Sequence, residues 1–266
     1  MDAEIGIIGG SGFYSLLEEP EAIDVDTRYG KPSDIIAIGR LGNSKVAFLS
    51  RHGSKHTLAP HKVPYRANID ALSQLGVKRI ISTASVGSLK KEFKPGDFVL
   101  FDQFFNMTHG RQDTFYDEDK VAHVGMADPY CSEMREIASE TLQELGISYH
   151  KNGTAVVVNG PRFSSKAESR FFSGQGFETI NMTQYPEAAL AREKSLCYLG
   201  IGIVTDYDVG LEGEEGISPV SADEIISVFG KNVSKAKSLI KEILPKLSSE
   251  RKCQCKHSLE GAFISH

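Results

Sequence analysis

The chain has 266 residues, 40% hydrophobic and 24% charged, with a formal net charge of −5 and a pI near 5.9. This balance is ordinary for a globular protein and does not suggest a broad nucleic-acid-binding surface. No apolar run approaches the roughly 18 residues needed to span a bilayer, and no secretory signal is evident, so we expect a cytoplasmic protein without nucleic-acid or membrane partners.

Short aliphatic strands alternate with helical patterns along the chain. Strands are predicted at the start of segment 5–14 and over 46–50, 79–83, 97–101, 154–158 and 199–204, and helices over 65–75, 133–145, 186–194 and 222–247. This alternation predicts an α/β fold, a single domain with a mixed central β-sheet flanked by helices. We assign residues 1–250 to this domain and 251–266 to a C-terminal tail with a C-x-C pair. Residues 103–128 and 209–221 are expected to be long functional loops.

Three of the predicted strands end in residues that suit an oxyanion. Gly9-Gly10-Ser11-Gly12 can present backbone N–H groups and a hydroxyl, although a plain tight turn explains it equally well. Arg51-His52-Gly53 offers a guanidinium and a further donor at the crevice of the sheet. Residues 82–88 add small hydroxyl side chains. The histidines that follow, His56 and His61, lack the acidic or cysteine partners of a metal site. The three ends together favour inorganic phosphate over a longer polyanion.

Three other segments suit a nucleoside base and sugar. Thr205-Asp206-Tyr207-Asp208 follows an apolar strand. The spacing alone is compatible with three roles for the two aspartates: a turn or helix N-cap, a pair of metal ligands, or hydrogen bonding to a heterocyclic base. The loop 160–165 joins Phe163 to hydroxyls, although a phenylalanine in such a loop more often packs in the core. Asn181-Met182-Thr183 precedes a helix, where Thr183 serves as a cap or Met182 packs on a sugar.

Together these segments resemble the methylthioadenosine phosphorylase branch of the trimeric purine nucleoside phosphorylase family. The matching motifs are IGIIGGSGFY, GKPSD, RHGSKH, PHKVPYRANIDAL, GSL, PGDFV, DQF, FYD, HVGMADPYC, GPRFSSKAESR, INMTQYPEAALARE and VTDYD. They run in the family's order from residue 5 to about 208, and the final amphipathic helix extends the match. The resemblance implies a purine nucleoside phosphorylase-like fold that assembles as a homotrimer or as a homohexamer of two trimers.

The resemblance also implies a role for individual residues. The implied phosphate-binding residues are Ser11, Arg51, His52, Ala84, Ser85 and Thr183; the implied nucleoside-binding residues are Met182, Phe163, Asp206, Tyr207 and Asp208, with Ser164 and Ala222 setting specificity. This chain has Ala84-Ser85-Val86 where human-type members have Thr-Ala-Cys. We therefore expect the backbone, more than a side chain, to contact phosphate there.

The implied reaction is phosphorolysis of S-methyl-5'-thioadenosine to adenine and 5-methylthioribose 1-phosphate. Phosphate is a co-substrate that attacks C1′, and Asp206, its pKa raised by burial, relieves charge at N7 of the leaving purine. No metal or organic cofactor is expected. Members selective for 6-oxopurines tend to carry Asn at the position of Asp206, so the carboxylate favours a 6-amino base.

The 5′ end of the substrate is implied to meet an apolar wall. That wall comprises Ala222, Ile225 and Ile226, with His123 and Met126 from a neighbouring subunit. A broader purine nucleoside phosphorylase acting on inosine, guanosine, adenosine or methylthioinosine is the alternative, because Ala222 is smaller than the valine common in human-type members. A non-catalytic nucleoside-binding protein is disfavoured, since it has no need of a phosphate site.

The four cysteines allow two interpretations. Their spacing lacks the paired C-x-x-C of zinc sites, and free thiols are the base expectation for a cytoplasmic protein. The resemblance to hyperthermophilic archaeal members instead implies a Cys131–Cys197 bridge and a Cys253–Cys255 pair, the latter in a strained small ring.

Overall fold

The computed structural model describes residues 3–213, 217 and 222–264. Eleven strands in this part of the chain join one mixed sheet. The strands are β1 (Ile5–Gly9), β2 (Glu18–Ile23), β3 (Ile36–Leu41), β4 (Ser44–Ser50), β5 (Arg79–Ser88), β6 (Phe98–Leu100), β7 (Gln103–Met107), β8 (Tyr149–His150), β9 (Thr154–Val158), β10 (Thr179–Asn181) and β11 (Cys197–Tyr207). The helices are α1 (Tyr65–Gln74), α2 (Ser132–Glu144), α3 (Lys166–Gly174), α4 (Gln184–Glu193) and α5 (Ala222–Ile243).

The centre of the sheet is the parallel pair β5 and β11, which run side by side from Cys197 to Tyr207. On its other side β5 pairs with β1 up to Ser82 and then, in the antiparallel sense, with β10 from Gly87. Since β1 ends at Gly9 while β5 continues, the sheet splits at this point. Crevices at the carboxyl ends of strands, where neighbours diverge, are the usual ligand sites of α/β sheets.

Both faces of the sheet are covered by apolar layers. Helices α1 and α4 pack on one face and α2 and α5 on the other. Strand β1 is therefore buried on both faces. Ile8 packs in the layer of α1 and α4, Ile7 packs in the layer of α2 and α5, and all five residues of the strand are buried. A strand buried on both faces reads as a continuous apolar run, which explains why β1, β5 and β11 were recognisable in the sequence.

The predicted α/β class and mixed central sheet are confirmed, and two boundaries need correction. Residues 103–107 were assigned to a loop but form strand β7, whose register is set by pairing with β9. The last helix ends at Ile243 rather than 247, because Pro245 converts the chain to a 3-10 turn. The predicted loop 209–221 falls largely outside the described residues.

None of the helices that the structure describes combines the length and apolarity required to cross a bilayer.

Candidate active site

Arg51 lies directly after β4, only 3% exposed, at the split in the sheet. Its Nε and Nη2 donate to the two carboxylate oxygens of Glu187 at 2.6 and 2.9 Å. Nη2 also donates to Ser82 Oγ at 2.6 Å, and Nη1 donates to the Thr83 carbonyl oxygen at 2.9 Å. A guanidinium has five N–H groups. Four of them therefore have acceptors among the described residues, which leaves one on Nη1 to meet an anion.

Glu187, on α4, is the residue that holds Arg51 in place. It is fully buried and also accepts hydrogen bonds from Tyr198 at 2.7 Å and from Ser82 at 2.8 Å. Burial alone would raise its pKa, but the Arg51 charge and these hydrogen bonds hold that pKa below its usual value. Sequence reasoning missed Glu187. The available signal was a carboxylate at the start of PEAALARE that is followed directly by alanines and a leucine.

His52 is oriented by the backbone. Its Nδ1 lies 2.8 Å from the Leu58 carbonyl oxygen, which can only accept, so the neutral ring carries its proton on Nδ1. Burial and the neighbouring Arg51 lower the pKa of His52 to about 4. Neutral His52 thus presents Nε2 as an acceptor. It donates to an anion only as the imidazolium, which corrects the simple expectation of a further donor.

The ends of β1 and β5 approach closely around Thr83. A Cβ added at Gly9 would lie 3.0 Å from Thr83 Oγ1, so only glycine leaves this approach undisturbed. Thr83 Oγ1 itself is buried and has no hydrogen-bond partner among the described residues. Ala84 is buried and Ser85 is exposed. Thr83, which the sequence analysis did not single out, is therefore the hydroxyl of this strand end that is poised for a ligand.

Thr183 and Met182 lie where β10 meets α4. Thr183 is 6% exposed and occupies the N-cap position, yet its hydroxyl makes no capping hydrogen bond, so a capping role does not explain it. A Cβ added at Gly160 would lie 2.5 Å from Met182 Sδ, which shows that the loop after β9 passes directly over Met182. Arg111 fastens this contact by donating to the carbonyl oxygens of Met182 at 2.9 Å and of Asn159 at 3.0 Å.

Asp206 and Asp208 flank a space that a glycine leaves open. A Cβ added at Gly87 would lie 3.5 Å from Asp206 Oδ2 and 3.6 Å from Asp208 Cβ. Burial raises the pKa of Asp206 to about 6; the Thr205 hydroxyl, which donates to its Oδ1 at 2.7 Å, opposes this shift, and Asp208 adds to it. A carboxyl group with this pKa is able to hold or exchange a proton near neutral pH.

Asp208 is the more deeply buried of the two carboxylates, 6% exposed. Burial raises the pKa of Asp208, while the neighbouring Ser169 and Ser164 oppose this shift, and its Oδ2 has no hydrogen-bond partner in the described part of the chain. Such an oxygen is ready to accept from a ligand N–H. Tyr207 lies on the opposite side of the strand and donates to the Lys91 carbonyl oxygen at 3.2 Å, so the structure does not bring its side chain into this group.

Phe163 is 61% exposed, which excludes a role in the core. It lies in the loop before α3, whose start is fixed by the reciprocal hydrogen bonds of Ser165 and Glu168. The side chains of Ser11 and Ala222, with those of Ile225 and Ile226, lie outside the described part of the structure.

The site thus has an anion end around Arg51 and Thr83, an acidic end at Asp206 and Asp208, and Met182 where β10 meets α4. Residues 4–245 match the family model of the phosphorylase superfamily. The chain belongs to the phosphorylase superfamily. This phosphorylase is 50% identical over 263 residues to the S-methyl-5'-thioadenosine phosphorylase of Thermofilum pendens, covering 98% of each chain. It is 46% identical to that of Nitrosopumilus maritimus, again covering 98% of each chain.

Solved structures give the same relationship. The phosphorylase superimposes with a TM-score of 0.92 on a methylthioadenosine phosphorylase from an antarctic soil metagenomic library, at 42% identity over 99% of this chain and 93% of that one. The TM-score is 0.91 for the methylthioadenosine phosphorylase of Schistosoma mansoni in complex with adenine, at 34% identity over 98% and 99% of the two chains.

The raised pKa of Asp206 makes stability depend on pH. The carboxyl group titrates near 3.8 in the unfolded chain but near 6 in the folded protein, so its ionisation weakens the fold as pH rises through this window. Asp206→Asn should therefore be more stable than wild type by about 1–2 kcal/mol above about pH 7, after allowance for partial solvation. The two proteins should be equal near pH 4. Urea unfolding at both pH values measures the difference, and a gain independent of pH would contradict the assigned cause.

Glu187→Gln should make the protein unusually responsive to phosphate. The change leaves Arg51 buried without its counter-charge, at a cost of about 3–5 kcal/mol. An anion that contacts Arg51 would restore part of that loss. We expect phosphate to raise the melting temperature more in this variant than in wild type, as followed by differential scanning fluorimetry.

Glu193→Gln is the matched control, because Glu193 ends the same helix, is 6% exposed and accepts from Thr114 Oγ1 and the Phe115 amide. It should lose stability without gaining phosphate response. Equal phosphate shifts in both variants would show that Arg51 does not meet the anion.

Proposed function

We propose that this phosphorylase cleaves S-methyl-5'-thioadenosine with inorganic phosphate to give adenine and 5-methylthioribose 1-phosphate, which makes it a pentosyltransferase. The observation that carries the proposal is the 50% identity, over 98% of both chains, to a phosphorylase of that name. The two ends of the site support it, because one suits a small oxyanion and the other suits the polar edge of a base.

Phosphate would occupy the arginine-lined end. The proposed binding residues are Ser11, Arg51, His52, Ala84, Ser85 and Thr183, to which we add Thr83. The remaining Nη1–H of Arg51 and the unpartnered hydroxyl of Thr83 support this placement. Because neutral His52 offers an acceptor, the bound complex would carry one more proton, either on His52 or on a phosphate oxygen.

Charge development dictates the remaining roles. As phosphate approaches C1′ and the bond to N9 breaks, the ribosyl group gains positive charge, which the adjacent phosphate stabilises. The leaving purine gains negative charge. Asp206, with a pKa near 6, would donate a proton or hydrogen bond at N7. Asp208 Oδ2 would accept from the exocyclic N6 amine.

The sugar and its 5′ substituent would lie between these ends. Met182, fixed beneath Gly160, would pack on the ribose, and Phe163 and Ser164 would line the base. Phosphate supplies the nucleophile and an aspartate relieves the leaving group, so we propose no metal or organic cofactor for the reaction. The apolar 5′ wall at Ala222 stays a prediction.

We also propose a homotrimeric or homohexameric assembly. Strand β7 is an edge strand of the described sheet, next to β9. Its residues Phe105 and Met107 are 41% and 45% exposed. Phe163 and Phe171 add exposed apolar area at 61% and 56%. An edge strand with apolar side chains is suited to burial against another copy of the chain.

The direct test is release of base from a nucleoside panel with and without phosphate. Adenine should be released from S-methyl-5'-thioadenosine only when phosphate is present. The kcat/KM for this release should exceed the kcat/KM for release of the base from adenosine, inosine or guanosine. Release without phosphate would mean hydrolysis. Equal efficiency on inosine would favour a broader purine nucleoside phosphorylase.

Asp206→Asn tests the assignment of the base-reading residue. The amide can donate to an O6 acceptor, whereas the carboxylate repels it, so the ratio of kcat/KM for inosine over S-methyl-5'-thioadenosine should rise by about tenfold or more. Glu193→Gln, at the opposite end of α4 from Thr183, should leave that ratio unchanged. An unaltered ratio in the Asp206 variant would place the base reader elsewhere.

A further inference from the structure

All four cysteines of the chain meet at one place. Cys131 precedes α2, Cys197 begins β11, and Cys253 and Cys255 belong to the C-terminal tail. Their four Sγ atoms all lie within 4.8 Å of one another, and each side chain is buried, between 0% and 7% exposed. None of the four is in a disulfide. The two bridges implied by the sequence resemblance are thus not formed in this structure.

The arrangement has one centre rather than two pairs. A disulfide brings two sulfurs to about 2.05 Å. Four sulfurs at about 2.3 Å from a tetrahedral zinc ion are separated from each other by about 3.8 Å. Here Cys197 and Cys253 are 3.3 Å apart, and they belong to different implied bridges. The sulfurs therefore surround a common point at a spacing close to that of a metal site.

The tail is brought to this place by contacts that do not involve sulfur. Arg79 donates to the Ser248 carbonyl oxygen at 2.6 Å, and Arg251 donates to the Ser195 carbonyl oxygen at 2.6 Å. Glu133 Oε2 accepts from the backbone N–H groups of Lys252 and Cys253 at 3.0 and 3.1 Å. These contacts hold the cysteines of the tail against the start of β11, so the ligand positions are organised in advance.

We propose that the four cysteines bind one zinc ion in a tetrahedral four-sulfur site. The surroundings suit the net charge of −2 that zinc and four thiolates carry. Cys131 lies at the N-terminus of α2, where the helix dipole favours negative charge. The segment 251–257, RKCQCKH, adds three Lys or Arg residues and no acidic residue, which offsets the nearby Glu133 carboxylate.

The zinc would be structural. Four protein ligands fill its coordination and leave no position for a substrate or water. Cys197 and Asp206 lie nine residues apart on the same strand, which at about 3.3 Å per residue separates the zinc from the base end by about 30 Å. The ion would fasten the tail to α2 and β11. The absence of C-x-x-C pairs concealed the site, because its ligands come from three separate segments.

The test begins with the full-length chain purified in the presence of a thiol reductant and without added metal. Mass spectrometry of the metal content should find about one zinc per chain. Cobalt(II) substitution should give the intense visible absorption of tetrahedral sulfur coordination. Cys255→Ser should weaken zinc binding by at least about tenfold, because mutation of residues that only hydrogen-bond to metal ligands already lowers metal affinity about 10–100-fold. Met134→Leu, in the same buried cluster, should bind zinc like wild type.

Removal of zinc by a chelator should lower the melting temperature while leaving the rate of phosphorolysis near 25 °C unchanged. The metal content, the cobalt spectrum and the melting temperature do not depend on the proposed reaction, so failure of that reaction would leave the zinc proposal testable. The proposal is overturned if the reduced chain, given zinc, binds none. It is equally overturned if peptide mapping of freshly isolated protein finds two disulfides in place of metal.

Discussion

The anion end of the site depends on the buried ion pair between Arg51 and Glu187. Arg51 lies at the end of β4 and Glu187 lies on α4. Ser82 on β5 and Tyr198 on β11 also donate hydrogen bonds to Glu187. One carboxylate thus connects the central strands to the helix that covers them. Because either charge alone would be costly in this dry environment, the pair fixes the guanidinium before any ligand arrives, and the single remaining N–H has a defined direction.

Strand β5 carries both chemical ends of the site, Thr83 at one and Gly87, next to Asp206, at the other. Strand β1 ends at Gly9, whereas β5 continues to Ser88 and pairs with β10 from Gly87 onward. At one side Thr83 and Arg51 provide donors, and at the other Asp206 is desolvated until its pKa approaches neutrality. The groups proposed to hold phosphate and to relieve the leaving base therefore lie along the same strand, β5, which suits the proposed phosphorolysis of a nucleoside.

Sequence reasoning reached much of the candidate site because several features are local. The strand that ends at Asp206 and Asp208 reads as an apolar run, and the two-residue period puts both carboxylates on one side of it. Glu187 and Arg111 could not be identified in this way, since each acquires its role from a partner far along the chain. Arg51 and Glu187, for example, are 136 residues apart. Thr83 belongs to a segment recognised for its hydroxyl groups, but only the structure shows that its hydroxyl is buried without a partner among the described residues.

The sequence by itself therefore determined the α/β class, the positions of the main strands and helices, and the residues that end those strands. Periodicity and composition are properties of short segments, and short segments decide these features. Only the tertiary structure decided which ends meet, that β7 joins the sheet, and that four cysteines with no metal-binding spacing converge. The reason is physical. Strand register and the burial of charge are set by contacts between segments that are distant in the sequence, and local sequence patterns do not predict those contacts.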